Sequence, residues 1–251
     1  MTDSIRVVAP FRPFPPEAPH HQELAAFDWM DAIAMLTDSV RASCGVELRV
    51  LTDVDTDLPC STLQYQTTHR RLMLWYLEIA ACYLDSPAFD RDTIALDSDQ
   101  LVYQDLASWF ASRMDIGIVI RATPKGLPGF PILNGVQFWA HRAKAKLVEF
   151  YRDALAIAEQ LPEADIVWGA DTVALCRLLE PLSVGMHDRS GLRVRFIQGN
   201  DLIEALSLVQ IRHLEAGKMQ RPTRPVLDFR NTRKPYMRAV YEATIARTVQ
   251  A

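Results

Sequence analysis

The chain has few cysteines and no pattern among them. Cys44, Cys60, Cys82 and Cys176 are scattered without a CxxC spacing, and two of them fall inside apolar helical patterns. That argues against a disulfide framework or a paired-thiol motif and predicts reduced, mostly buried thiols in a cytoplasmic protein. A basic-then-apolar leader is missing, and no apolar run approaches membrane-spanning length, so a membrane role would be peripheral. A surplus of positive charge is missing too: the net charge is −4 and the pI is near 5.9. A globally basic nucleic-acid binder is therefore disfavoured. Repeats and low-complexity segments are absent. His20 and His21 adjoin in a proline-rich loop with no further His or Cys at ligand spacing, while His69, His141, His187 and His213 stand alone. Ser61 and Ser190-Gly191 have no nucleophile-elbow context, which leaves a hydrolase triad without support.

What remains is an ordinary globular composition, 49% apolar and 23% charged over 251 residues, enough for one sizeable core. The first half alternates in type. "IRVVAPF" reads as a strand, and "QELAAFDWMDAIAMLTDSVRASCG" as a helix stopped by Gly45. "VELRVLTD" is a second strand, "THRRLMLWYLEIAACYLDS" a second helix closed before Pro87, and "DTIALD" a third strand. This order predicts right-handed crossovers and a parallel sheet covered by helices on both faces. The second half predicts strands at "MDIGIVIRA", "GVQFWAH", "LRVRFIQG" and "PVLDF", with "TPKGLPGFPILN" as a loop. Helices are expected over "RAKAKLVEFYRDALAIAEQL", from "WGADTVALCRLLEP", and at "YMRAVYEATIARTV". One domain over 1–251 is expected, with a nucleotide-binding half to about residue 110 and an acceptor-side half from about 111.

In sheets of this kind ligands bind beyond the carboxyl ends of the strands. Arg12, Asp53 and the pair Asp97/Asp99 all fall at such ends, although they are far apart in sequence. Asp105 follows as a third acid. Taken alone, the pair could be a solvated strand end.

The stretch "LDSDQLVYQDL" resembles the Asp-x-Asp region of nucleotide-diphospho-sugar glycosyltransferases of the GT-A fold. Three further blocks follow in the order of that family. "ILNGVQFWAH" looks like its Asn-x-Gly segment under the donor sugar, and "WGADTVAL" like its Trp-Gly-x-Asp block. "VLDFRNTRKPYM" is similar to the late block of family-8-like members, in which a strand ends in a metal-binding His and runs on into Lys-Pro. The resemblance covers roughly residues 5–240. It implies an α/β GT-A fold: a Rossmann-like, mostly parallel central sheet flanked by helices. It also implies a metal-dependent transferase that uses a nucleotide-diphosphate sugar, a UDP-sugar in particular.

By the same resemblance Mn²⁺ or Mg²⁺ would be held by Asp99 as main ligand, with Asp97 shared between metal and ribose. Asp228 would stand where the family has its His. Nucleotide-sugar contacts would come from Pro10, Phe11, Arg12, Asp53, Arg70, Asp97, Ser98, Asn134, Gly135, Trp168, Arg233 and Lys234. For the second helix, Arg70 or Arg71 is expected to present a cation. Asp171 is the catalytic candidate, as the acceptor's base if the enzyme inverts or as a donor-sugar contact if it retains. It could equally be a helix-start acid, and Asn134-Gly135 is in its own right a turn dipeptide.

From Arg212 to Arg247 nine lysines and arginines meet three acids, a surplus of six. The rest of the chain therefore carries about ten net negative charges. Part of that basic quarter would serve the donor diphosphate. The remainder could be a solvated face, or could meet an anionic acceptor such as DNA with hydroxymethylated bases, an anionic glycan or a lipid-linked sugar. Two other classes stay open: a non-catalytic nucleotide-sugar binding protein, and a nucleic-acid-binding module that uses the basic quarter.

Overall fold

The computed structural model describes residues 5–13, 27–110, 113–121, 131–162, 169–218, 222–229 and 231–246. Strand β1 (Ile5–Pro10) leads to helix α1 (Trp29–Cys44), β2 (Leu48–Asp53), β3 (Thr62–Tyr65), α2 (Leu72–Asp85), β4 (Asp92–Leu96) and β5 (Gln100–Val102). Next come β6 (Ile116–Ile120), β7 (Ile132–Trp139), α3 (Lys144–Glu159), α4 (Ala170–Leu179), β8 (Gly185–Arg189) and β9 (Leu192–Gln198). The chain continues through β10 (Ile203–Glu204), α5 (Leu208–Glu215), β11 (Val226–Asp228) and α6 (Met237–Tyr241).

Eight strands form one sheet in the order β3-β2-β1-β4-β7-β6-β9-β8. The expected parallel core is present: β2 and β4 flank β1 in parallel, and β3 extends the parallel edge. The second half joins through β7, antiparallel to both β4 and β6, and β9 runs parallel to β6. β10, β11 and β5 make a separate three-stranded sheet.

Alternation along the strands sorts side chains to the two faces. Val7 and Ala9 pack toward Ile33, Leu36 and Val40 of α1. Val8 faces the other way, into the cluster of α2, α3 and α4 that includes Trp75, Leu77 and Tyr151. A third apolar cluster joins Leu101 and Leu227 of the small sheet, and Phe229 just after it, to Met237 and Val240.

Several boundaries differ from expectation for local reasons. α1 begins at Trp29, because the Asp28 side chain accepts the Asp31 amide at 2.9 Å and caps the helix there; Gly45 ends it in the left-handed region, φ 68°. α2 begins only at Leu72. The carboxylate of Glu78 accepts the amides of Thr68 and His69, which holds those residues out of the helix. Arg70 and Arg71 therefore precede the helix rather than ride on it. β7 starts at Ile132, so Asn134 and Gly135 lie within a strand instead of a turn. The terminal segment is helical from Met237 to Tyr241 and continues as a π-helical turn, Glu242–Ala246. Elements without a clear sequence pattern include edge strand β3, helix α5 with its Ser207/Gln210 capping box, and strand β8, which turns on Ser190-Gly191, at φ 47° and 72°, into the expected β9.

Leu36 is fully buried between α1 and the sheet. Its truncation to alanine is expected to cost about 2–5 kcal/mol of unfolding free energy, read from the midpoint shift in chemical denaturation.

Candidate active site

The carboxyl ends of β1 and β2 carry a closed polar group. Arg12 pairs with Asp53 at 3.6 Å and donates to the carbonyls of His69, at 3.0 Å, and Arg70. Trp75 Nε1 donates to Asp53 Oδ1 at 2.7 Å, Thr67 donates to the same oxygen, and the Arg12 guanidinium lies 5.1 Å from the Trp75 ring centre. Arg12 and Asp53, expected separately as contacts, thus neutralise one another in a buried setting. Arg70 meets this group through its carbonyl, while its side chain is exposed. Phe11 is buried and its amide donates to Leu51, and the Ser98 hydroxyl approaches the Pro10 carbonyl at 3.4 Å. That contact ties the end of β1 to the acidic stretch after β4.

In that stretch the Asp97 amide donates to the Gly135 carbonyl at 2.9 Å. The two chains pass so closely that a Cβ on residue 135 would lie 2.6 Å from Asp97 Oδ2 and 2.6 Å from Gln100 Nε2. A Cβ here would have to displace the ends of those two side chains; the backbone dihedral itself does not ask for glycine. Asp99 is buried and forms an ion pair with Lys234, whose ammonium also sits 4.6 Å from the Trp29 ring centre. The two residues expected to meet metal and diphosphate separately are therefore partners of each other. The cause is the return of the chain through β11: Asp228 pairs opposite Gln100, the Phe229 amide donates to Asp99, and the following 3₁₀ turn, Asn231–Tyr236, brings Lys234 in. Arg233 is half-buried in that turn. Asp105 is exposed and accepts the Ala107 amide, away from the group. Among the described residues no three Asp, Glu, His or Cys side chains gather as a cation-holding cluster.

Asp171 lies in the first turn of α4, buried, behind Gly169 in the left-handed conformation at φ 83°. It ends a chain of oriented amides. Tyr151 and Trp139 donate to Gln137 Oε1, the Gln137 amide donates to Asn134 Oδ1, and the Asn134 amide donates to Asp171 Oδ2. Each donor fixes the orientation of the next group, so Asn134 can only offer its NH₂ to the carboxylate. Asp171 Oδ1 and the Tyr76 hydroxyl are buried without a hydrogen-bond partner among the described residues. Burial raises the Asp171 pKa, and the amides of Thr172 and Asn134 offset part of the rise.

The structure brings together Pro10, Asp97, Ser98, Asp99, Asn134, Gly135, Asp171, Asp228 and Lys234 around one end of the sheet. Trp168 lies outside the described residues. Sequence reading missed Tyr76, Gln100, Gln137 and Tyr151. The available signal was a polar residue inside an apolar strand, as in "VQFW", and a glutamine directly after Asp99.

No family model matches the sequence, and no curated protein matches it. Solved structures match its fold. A glycosyltransferase involved in glycosylating the major capsid of PBCV-1 aligns with TM-score 0.53 and 13% identity, over 94% of this chain and 98% of that one. The glycosyltransferase GlyE of Streptococcus pneumoniae TIGR4 aligns with TM-score 0.55 and 12% identity, over 96% of this chain, which spans 59% of that protein. An active-site mutant of LgtC aligns with TM-score 0.54 and 10% identity, over 94% and 95%. The chain has the GT-A glycosyltransferase fold.

The raised Asp171 pKa has a sign that can be measured. Stability contributed by the protonated, buried carboxyl is lost as pH rises through its folded pKa, above the ordinary carboxylate range. Asp171→Asn lacks that loss. The melting temperature of the variant minus that of wild type should grow from about pH 4 to about pH 8; a difference independent of pH would contradict the assignment.

Proposed function

We propose that this protein is a glycosyltransferase that moves a sugar from a nucleotide-diphosphate donor, a UDP-sugar by the resemblance of its motifs, to an acceptor. The observation that carries the reading is the meeting of Asp97, Gly135, Asn134 and Asp171 at one end of a GT-A sheet, from blocks separated in sequence by loops and helices. The whole chain serves as one catalytic domain, since β4 of the first half pairs with β7 of the second.

In this reading the nucleotide lies over the ends of β1 and β2, bordered by Phe11, the Arg12–Asp53 pair and Ser98. Asp171 orients the donor sugar. Its Oδ1, without a partner among the described residues, is the oxygen that a sugar hydroxyl would meet, while Asn134 holds Oδ2. The hydroxyl's proton stays on the sugar in that contact; the acceptor oxygen bonds to the anomeric carbon as the bond from that carbon to the β-phosphate oxygen breaks, the diphosphate leaves with the electron pair, and the acceptor's proton passes to it.

The donor set at the end of β4 is all oxygen, and the buried amide of Gln100 has no partner among the described residues. This fits a hard cation, Mn²⁺ or Mg²⁺, with Asp97 and Asp228 among its holders. When bound, such an ion neutralises the charge that builds on the leaving diphosphate. Asp99 would join only on release from Lys234.

Lys234 and Arg238, two of the cations that make the last quarter basic, are occupied by Asp99 and Asp31. Arg212, Lys218 and Arg224 are exposed and, with half-buried Arg233, are the remaining described cations of that quarter that would meet an anionic acceptor, DNA or a glycan.

A thermal-shift screen of UDP and UDP-sugars, with and without Mn²⁺, tests the donor. A ligand at about 100 times its Kd stabilises by about 2.7 kcal/mol, a shift of several degrees. Stabilisation by a nucleotide sugar is the expected result, and no response to any of them would overturn the reading.

A further inference from the structure

Positive charge also gathers away from the candidate active site and outside the basic last quarter. Arg113 and Asp115 come just before β6, and Arg142 and Lys146 follow β7, Lys146 in the first turn of α3. Asp188 and Arg193 belong to the β8–β9 hairpin. Because β7 runs antiparallel to β6 and β9 runs parallel to it, the chain delivers all six residues to one end of the sheet. Asp97 and Gly135 lie at the other end: along β7, Asn134 and Trp139 are separated by about 17 Å. The six side chains line an open cleft of about 410 Å³.

Asp115 organises the cleft. Its side chain is only 13% exposed and accepts the Arg193 amide at 3.0 Å, while Arg142 at 3.3 Å and Lys146 at 3.7 Å both pair with it. Arg142 also donates to the Met114 carbonyl at 2.6 Å. One carboxylate thus holds two cations side by side. Arg113 and Arg193 are exposed and have no ion pair among the described residues, although Asp188 stands directly across the hairpin from Arg193. Four cations against two acids leave a surplus of two, in a chain whose net charge is −4. Arg113 is held at φ 69°, in the left-handed region that a residue with a side chain rarely takes. Like charges fixed together repel, and a concave site of one sign draws a counter-ion.

We propose that this cleft is a binding site for a phosphate group, separate from the nucleotide-sugar site and independent of the glycosyltransferase reading. A phosphate group carries close to two negative charges at neutral pH and three acceptor oxygens, which matches the surplus of two. Guanidinium groups meet such oxygens through paired N–H donors. Arg113 and Arg193 supply two that no acid occupies, and Arg142 and Lys146, steadied by Asp115, add charge beside them. No exposed large apolar side chain lines the cleft to enter a bilayer. The ligand is therefore a free phosphate-bearing solute and not a lipid headgroup.

The test is equilibrium dialysis of radiolabelled inorganic phosphate against the full chain at low ionic strength. Wild type should bind it, and Arg193→Gln and Arg113→Gly should each weaken binding by about tenfold or more. Glycine suits the positive φ at position 113, so that variant removes the guanidinium without disturbing the backbone. Arg41→Gln, which removes an exposed cation from α1, should bind phosphate as wild type does. Unfolding transitions check the fold of each variant. Should either cleft variant fail to fold, Lys146→Gln, at an exposed side chain, takes its place with the same expectation. The proposal is overturned if wild type binds no phosphate, if the folded cleft variants bind it as wild type does, or if Arg41→Gln loses as much affinity as they do. Binding to vesicles of phosphatidic acid in phosphatidylcholine, without binding of free phosphate, would overturn it too.

Discussion

β7 runs antiparallel beside β4 with no side chain at Gly135, and the centre of the site is organised around that approach. The Asp97 amide reaches the Gly135 carbonyl, and in the space left by the absent Cβ lie the ends of the Asp97 and Gln100 side chains. The residue before it, Asn134, then reaches Asp171 on α4. One missing side chain thus links the acidic turn after β4, the middle strand of the sheet and the helix that carries Asp171. A methyl group at this position would have to displace the carboxylate of Asp97 and the amide of Gln100.

Around this centre charge is handled by pairing. Asp53 holds Arg12 and Asp99 holds Lys234, both in buried settings. Buried ion pairs add little net stability, because desolvation offsets attraction. Their contribution here is geometric. The Arg12 pair ties the end of β1 to the segment before α2, and the Lys234 pair ties the late 3₁₀ turn to the turn after β4. Asp171 is handled differently, with oriented amides in place of a cation. Burial raises its pKa above that of an ordinary aspartate, the amides offset only part of the rise, and Oδ1 has no hydrogen-bond partner among the described residues.

The alternating first half was legible because strands buried on both faces are short apolar runs, and α1 and its stop at Gly45 carry a helical period. That Asp97 and Asp171 would lie at element ends was legible because one follows an apolar strand and the other opens a helix. The rest depended on contacts that spacing does not carry. The Asp99–Lys234 pair joins residues 135 apart in sequence, so two candidates assigned to different ligands turned out to be partners. Asn134-Gly135 has the composition of a turn, yet pairing with β4 and β6 overrides that preference and places it in a strand. Gln137 was hidden by its apolar neighbours, and its role shows only once Tyr151, from the middle of α3, is packed against it.

The central claim is that the end of this sheet activates a nucleotide sugar. The most direct measurement is UDP release from a panel of UDP-sugars by wild type and by Asp97→Asn, each shown to be folded. The account predicts release from at least one donor, slow without acceptor, and its loss in the variant. Release from none, or equal release by both proteins, would contradict it.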